Sequence, residues 1–310
     1  MLSKYLIRLE RKAGNHAYWL SLMIVLAGVF PASIFGQPEI GERRDFGELS
    51  YDKLNEVSGI AASRKNPGIF WLHNDSGDGN FIYAINSTAQ LVGIYEVIGA
   101  KERDWEDIAI GPGPAEGQQY LYIGNFGDND AEYPIKHIYR VMEPRVLPNQ
   151  EPRRIKLYGT QDISFVFPDG KRDAETLMVD PLNLDIYVVS KREEKVGVYR
   201  APYPQPVGRP TPLKLVTRLP LSWIVAGDIS ADGREILLKT YDAIYYWERK
   251  PGESIADALN KPSHMLPYFL EPQGEAIAWK ADGMGYFTVS EEYKKIPAHL
   301  YFYPRIPEKK

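Results

Sequence analysis

The stretch Gly274-Glu275-Ala276-Ile277-Ala278-Trp279 precedes a turn at Ala281-Asp282-Gly283, and the apolar run Tyr286-Phe287-Thr288-Val289 follows that turn. The same order recurs along the chain: an acidic or small residue, an apolar residue at a fixed position, a turn and a second apolar run. The fixed apolar position is occupied in turn by Ile60, Ile108, Leu177, Ile229 and Ile277. The intervals between these residues are 48, 69, 52 and 48 residues, so the opening stretch is one of five copies of a repeat.

A second marker follows each copy in the same order. It is a pair formed by an apolar residue and a tyrosine: Ile82-Tyr83, Ile138-Tyr139, Val198-Tyr199, Ile244-Tyr245 and Leu300-Tyr301. A repeat of about 50 residues built from short strands is typical of a β-propeller. The sequence therefore predicts an all-β chain with five blades of four strands each.

The fifth copy ends too early to complete its blade. After the predicted strand at residues 299–304 only six residues remain, and one of them is a proline. The predicted strand at residues 43–50 has no blade of its own, so we expect it to close the last blade and to cover an exposed sheet edge. The alternative is six blades, with a degenerate blade around residues 155–167 inside the interval of 69 residues.

The N-terminal region has the layout of a secretory signal peptide. Four cations at Lys4, Arg8, Arg11 and Lys12 precede an apolar run at residues 18–30, and we expect cleavage near Gly36-Gln37. The alternative is an uncleaved membrane anchor. We therefore divide the chain into this segment, residues 1–36, and a single propeller domain, residues 37–310. The expected location is exported: periplasmic, at the cell surface or extracellular.

Composition excludes several classes of function. The net charge is -4, which gives no reason to expect nucleic-acid binding. The chain has no cysteine, so it has no disulfide framework, no thiolate metal site and no cysteine nucleophile. We expect a monomer that touches a membrane only through the N-terminal segment, and the sequence leaves open whether its partner is a small molecule or a protein.

Polar residues concentrate at one predicted mouth of the central channel. In a propeller blade the first strand starts, and the second strand ends, at the same mouth, and those positions carry carboxylates and a few cations. The other mouth receives ordinary turn residues. The predicted ligand-binding residues are Asn74, Asp75, Asp104, Trp105, Lys191, Asp228, Lys239 and Glu291. The predicted metal ligands are Asp75, Glu106, Asp128, Glu175 and Glu275.

Carboxylates that gather in a concave site either bind a cation or divide acid and base roles. Calcium prefers six to eight oxygen ligands, and this mouth offers that type of ligand, so Ca²⁺ is the expected cofactor. The stretch Asn74-Asp75-Ser76-Gly77-Asp78-Gly79 fits the first half of a calcium loop, but Ile85 stands where an EF-hand requires glutamate. The candidate catalytic residues for a hydrolase are Glu106, Glu175, Glu275 and His73.

Several of these stretches together resemble a known family. They are Ser58-Gly59-Ile60-Ala61, Asp104-Trp105-Glu106-Asp107, Gly124-Asn125-Phe126-Gly127-Asp128-Asn129 and Asp173-Ala174-Glu175. They look like an exported bacterial β-propeller family of largely uncharacterised function, which is similar to WD40-like, TolB-like and phytase-esterase-like propellers. Phytase-like relatives would imply calcium and phosphoester hydrolysis, but this chain lacks the dense Lys/Arg cluster that a highly phosphorylated substrate requires.

Three functions follow as hypotheses. The first is an exported propeller that binds a small ligand or a divalent cation, with calcium preferred, at the acidic mouth. The second is a metal-dependent hydrolase, either a phosphoesterase or a glycosidase, that uses paired carboxylates at the same mouth. The third is a protein–protein interaction scaffold. Whether the protein is an enzyme is left open by the sequence.

Overall fold

The computed structural model describes residues 37–147 and 150–307. Within them the chain forms five sheets arranged as the blades of a propeller. The predicted signal peptide or anchor, residues 1–36, lies outside the described residues. No helix in the described ranges is long and apolar enough to cross a membrane.

The strands follow one another in chain order, blade by blade. The first strand is β1 (Arg44–Glu48), and blade 1 contains β2 (Val57–Ala62), β3 (Ile69–Asn74), β4 (Phe81–Asn86) and β5 (Leu91–Val97). Blade 2 contains β6 (Trp105–Pro112), β7 (Gln119–Asn125) and β8 (Lys136–Met142). The next strand, β9 (Arg154–Leu157), returns to blade 1, and β10 (Gln161–Val166) completes blade 2.

Blade 3 contains β11 (Ala174–Val179), β12 (Ile186–Ser190), β13 (Val196–Ala201) and β15 (Lys214–Leu219), while β14 (Thr211–Pro212) joins blade 2. Blade 4 contains β16 (Ile224–Ile229), β17 (Glu235–Thr240), β18 (Ile244–Glu248) and β19 (His264–Leu266), with the short helix α1 (Ile255–Leu259) before β19. Blade 5 contains β20 (Ala276–Trp279), β21 (Gly285–Val289) and β22 (His299–Pro304).

The N-terminal strand closes the ring, as predicted. β1 pairs antiparallel with β22, with Arg44 opposite Phe302 and Glu48 opposite His299. The ring of Phe46 packs against Phe287 and Phe302 at centroid distances of 5.8 and 5.5 Å. The last blade therefore has its four strands, and β22 has no free edge.

The long second interval does not contain a sixth blade, so the six-blade alternative is wrong for the described chain. Residues 155–167, predicted as one strand, divide between two blades instead. β9 pairs parallel with β5 as a fifth strand of blade 1, and β10 pairs antiparallel with β8 as the fourth strand of blade 2. Gly159, at φ +85°, lies in the turn between these two strands.

The apolar core lies between the blades. Five clusters of buried apolar side chains occur, and each combines residues of two neighbouring blades. Phe70 of blade 1 meets Phe287 of blade 5 at 4.5 Å between ring centroids, which seals the closing interface. Because each inner strand is covered on both faces, β2, β11 and β16 are buried throughout.

Two buried aspartates join neighbouring blades through backbone hydrogen bonds. Asp107 of blade 2 accepts the N–H of Leu177 of blade 3 at 2.8 Å, and Asp228 of blade 4 accepts the N–H of Trp279 of blade 5 at 2.8 Å. Each donor belongs to the inner strand of the next blade. These bonds fix the height at which adjacent blades meet along the channel.

We expect Asp107→Ala to lower the free energy of unfolding by about 2–3 kcal/mol, because two buried N–H groups lose their acceptor. The second of these donors is the Ile108 N–H, at 2.8 Å. Urea unfolding followed by tryptophan fluorescence measures the change. Asp130→Ala, at an exposed loop position, is the matched control and should change little. Equal stability of Asp107→Ala and the control would contradict this role.

Candidate carboxylate site at the channel mouth

β-Bulges determine which side chains enter the channel mouth. In the first four blades the pairing between the first two strands skips one residue near the start of the inner strand. The skipped residues are Ser58, Glu106, Glu175 and Val225. A bulge re-aims the side chain of the extra residue. In blade 5 Glu275 immediately precedes Ala276, the first residue of β20, so three of the five blades bring a glutamate to this level.

In blade 4 the structurally equivalent positions are shifted by two residues from the alignment of the five repeats in the sequence. Its inner strand begins at Ile224, and the bulged residue is the apolar Val225. Gly227, and not Ile229, therefore corresponds to Ile60 and Ile108. Asp228 lies further along the strand, where its carboxylate joins blades 4 and 5. The structure thus places this predicted ligand-binding residue away from the carboxylate cluster, because the apolar pattern of the strand does not reveal where the bulge falls.

Glu106, Glu175 and Lys191 form the centre of the mouth, and all three side chains are buried. The Lys191 Nζ makes an ion pair with Oε1 of Glu175. Burial opposes the charge of Lys191, but Glu175, Glu275 and Glu106 together raise the pKa of the ammonium group. The lysine therefore stays charged, and its ammonium group interacts electrostatically with three of the predicted glutamates.

Two sets of three carboxylates meet here, and Glu106 belongs to both. Oxygen atoms of Asp75, Asp104 and Glu106 lie within 4.8 Å of one another, and so do oxygen atoms of Glu106, Asp173 and Glu175. The second set is compensated by the protein, since Lys191 pairs with Glu175 and Arg192 Nε lies 2.6 Å from Asp173. In the described residues no ion pair within 4.0 Å includes a member of the first set.

Burial and mutual repulsion change how these groups bind protons. Burial, followed by the charges of Glu175 and Asp75, raises the pKa of Glu106 well above its usual range. Burial and the charge of Asp104 raise the pKa of Asp75 to about 7. Burial also raises the pKa of Asp104. At neutral pH this set therefore keeps part of its protons unless a cation replaces them.

Glu275 and Glu291 form a carboxyl pair beside the centre of the mouth. The hydroxyl of Tyr241 donates to Oε1 of Glu275 at 2.5 Å. Burial and the charge of Glu275 raise the pKa of Glu291 to about 8. Glu291 is thus one of the predicted ligand-binding residues that the structure brings to the cluster, together with Asp75, Asp104 and Lys191.

The backbone at Gly127 lies directly over two of the carboxylates. A Cβ at this position would overlap Oε1 of Glu106 and Oδ2 of Asp104. A larger residue at this position would therefore displace the two carboxylates from their present places. The loop is held in place by Arg103, whose Nη2 donates to the Gly127 carbonyl at 2.8 Å.

His73 and Trp105 lie between blades 1 and 2 and not in the open mouth. Both are buried, and their rings meet edge to face with centroids 5.8 Å apart. Burial lowers the pKa of His73 to about 4, so the imidazole is neutral. The Trp105 indole N–H donates to the carbonyl of Lys101 at 3.1 Å. These contacts give both side chains a packing role.

The polar groups of three further predicted site residues form hydrogen bonds or an ion pair with other parts of the protein. Asn74 donates to the carbonyl of Lys53 at 2.5 Å. The Asp128 carboxylate accepts from Lys136 Nζ at 2.7 Å, and its oxygen atoms belong to neither set of carboxylates. The buried Lys239 donates to the carbonyls of Thr240 and Gly274, and burial lowers its pKa to about 8. Lys239 therefore anchors the chain just before Glu275.

Asp173, Arg192, Tyr241 and Gly127 belong to the site but were not among the predicted site residues. Asp173 could have been found, because it precedes Glu175 by two residues, as Asp104 precedes Glu106. Gly127 carried no such signal, because its role depends on a close approach between loop and carboxylates.

Comparisons with known proteins assign no family to this chain. No family model matches the chain, and no curated protein matches it either. The crystal structure of RRP9 WD40 repeats is similar at 10% sequence identity and a TM-score of 0.39, covering 81% of this chain and 80% of that one. The structure of U3-55K has the same identity and TM-score, and 80% of each chain is covered.

We expect that, with a chelator present, the protein gains stability as the pH falls from about 8 toward about 5. The pKa of Glu291 is about 8 in the folded state against 4.5 as its ordinary value, so the folded state binds more protons in this window and loses stability as the pH rises through it. Glu291→Gln should therefore flatten the dependence and raise the Tm at pH 8. Calorimetric Tm values across the window test this, with Asp130→Asn as control. A lower Tm for Glu291→Gln at pH 8 would refute it.

Proposed function

We propose that the acidic mouth binds a divalent cation, with Ca²⁺ as the best match, through Asp75, Asp104 and Glu106. The observation that carries the proposal is that oxygen atoms of these three carboxylates lie within 4.8 Å of one another, while no side chain in the described part of the chain forms an ion pair with them. All of the candidate ligand atoms are carboxylate oxygens, the type that a hard cation prefers. The β-propeller fold is consistent with a scaffold that binds a ligand or a protein, and the proposal names the ligand.

The second set of carboxylates, Glu106, Asp173 and Glu175, is a poorer site for the cation than the first set. Lys191 and Arg192 already compensate Glu175 and Asp173. On the other side, Glu106 faces Asp75 and Asp104, whose pKa values are raised by burial. A cation bound there would replace the shared protons and would remove the repulsion between the carboxylates.

Export, which the N-terminal sequence predicts, would suit this proposal. Calcium sites of extracellular modules typically have Kd values of about 10⁻⁴–10⁻³ M. A site made of three carboxylates next to a fixed lysine needs no higher affinity to be filled in such a compartment.

We expect Ca²⁺ to raise the Tm and to bind in calorimetric titration, whereas Glu106→Gln and Gly127→Ala should each weaken binding at least tenfold. Glu106→Gln removes a charged ligand, and the alanine methyl displaces two carboxylates. Affinity should rise from about pH 5.5 to about pH 8, because protons leave as the metal binds. Titration in two buffers of different ionisation enthalpy measures that proton release.

The control for this experiment is Asp282→Asn, an exposed acid in the turn after β20, which should bind Ca²⁺ like the wild type. Two results would overturn the cation site. One is the absence of both heat and a Tm shift at millimolar Ca²⁺, and the other is unchanged binding by Glu106→Gln.

A glycoside hydrolase is the second candidate, and it rests on the unequal surroundings of Glu106 and Glu175. Their nearest oxygens lie no more than 4.8 Å apart, and only Glu175 pairs with a lysine. Burial raises the pKa of both glutamates well above the usual range, but Lys191 opposes this rise more directly at Glu175, through its ion pair. Such a pair could divide the roles of nucleophile and general acid.

We expect an active enzyme of this kind to lose at least a hundredfold in kcat/KM with either Glu106→Gln or Glu175→Gln, because each role requires its carboxyl group. A panel of nitrophenyl glycosides and phosphate monoesters, assayed with and without EDTA, measures it. Activity that EDTA leaves intact supports the glycosidase, and EDTA-sensitive phosphatase activity supports a metal-dependent phosphoesterase. Turnover of no substrate in the panel would count against both hydrolases.

A further inference from the structure

The opposite end of the channel contains a small cavity that the acidic mouth does not use. Blades 1 to 4 line it, at the level where their first strands end, and its volume is about 220 Å³. This is space for about seven water molecules, at roughly 30 Å³ each. Apolar side chains from three blades form part of its wall: Ile110, Val179 and Ile229. The cavity is therefore large enough for a small organic molecule and too small for a sugar chain or a peptide.

One cationic side chain lines this cavity, and its hydrogen-bonding capacity is not satisfied. The Nη1 of Arg64 is buried, and no group among the described residues forms a hydrogen bond with it. No carboxylate of the described chain lies within ion-pairing distance of Arg64. A guanidinium group stays charged under all ordinary conditions, and a buried N–H without an acceptor is costly. Arg64 thus brings a positive charge to the wall of the cavity, where the described residues supply no carboxylate within ion-pairing distance.

Asp228 is the acid whose charge interacts with Arg64, yet its carboxylate is engaged elsewhere. It accepts the N–H of Trp279 at 2.8 Å, in the contact between blades 4 and 5. Arg64 opposes the rise that burial causes in the pKa of Asp228. The charges of the two groups therefore interact, but Arg64 and Asp228 do not form an ion pair.

We propose that this cavity binds a small monocarboxylate with a compact apolar body. The carboxylate would accept from Arg64, and Gln119, which also lines the cavity, adds an amide group. The apolar body would lie against Ile110, Val179 and Ile229. About half of the cavity wall is polar, and a small-molecule site commonly combines apolar side chains with a few polar groups that fix the orientation of the ligand. Inorganic phosphate matches it less well, because it carries more charge and has no apolar surface to bury.

The test uses butyrate as the probe, with butyramide as its uncharged counterpart of similar shape and inorganic phosphate as the compact anion. Ligand-observed NMR and the Tm shift at millimolar concentrations measure binding. We expect butyrate to bind, butyramide and phosphate to bind at least tenfold more weakly, and Arg64→Gln to weaken butyrate binding at least tenfold. Lys65→Gln removes the neighbouring exposed cation and should bind like the wild type.

A second variant keeps the proposal testable if Arg64→Gln does not fold. Ala231 lies at the exposed rim of the cavity, and Ala231→Leu should block butyrate while retaining the arginine. Glu106→Gln, at the other mouth, should leave butyrate binding unchanged. The proposal is overturned if butyrate does not bind, if butyramide binds equally well, or if the Ala231 variant binds like the wild type.

Discussion

Closure of the ring is the constraint on which the rest of the structure depends. Once β1 pairs with β22, the inner strands of all five blades run in the same direction around one channel. Every residue at a given height of a blade then shares that height with its counterparts in the other blades. Bulges near the start of β6 and β11 consequently bring Glu106 and Glu175 to the channel mouth. Glu275, just before β20, joins them, although intervals of 69 and 100 residues separate the three glutamates in the chain.

The two mouths of the channel differ in how charge is balanced. The acidic mouth contains more buried carboxylates than Lys191 and Arg192 can neutralise. Bound protons or an added cation must therefore balance the remaining negative charge. At the opposite mouth a guanidinium group shares a cavity wall with three aliphatic side chains, and no carboxylate of the described residues forms an ion pair with it. Packing holds both arrangements in place, since the apolar clusters between blades support the strands from which these side chains extend. The same interfaces thus stabilise the fold and set the electrostatics of the channel.

Much of the architecture could be predicted from the sequence, because each repeat is marked by the order of apolar, turn and tyrosine positions within one short stretch of chain. The apolar positions and the Tyr pairs showed the number of blades, and the shortage of residues after the last strand indicated the closing role of β1. The convergence of Glu106 and Glu175 also followed, because strand direction alone determines the mouth at which they lie.

The remaining details depend on contacts between segments far apart in sequence. The bulge at Val225 shifts blade 4 by two residues relative to its apolar pattern, so Asp228 moves away from the mouth. Lys239 resembles a channel cation in sequence, yet it donates to the Gly274 carbonyl. Arg64 stands in what looks like an ordinary turn, and its unsatisfied Nη1 becomes visible only when four blades surround it.

The order in which the strands join their sheets restricts how this propeller could have grown by duplication. β9 returns to blade 1 before blade 2 has received its own outer strand, and β14 returns to blade 2 before blade 3 is complete. The first three blades are therefore interlaced, and a whole blade could not be inserted or removed among them without breaking a sheet. Blades 4 and 5 lack such returning strands within the described residues, so the gain or loss of a repeat would be easiest to accommodate there.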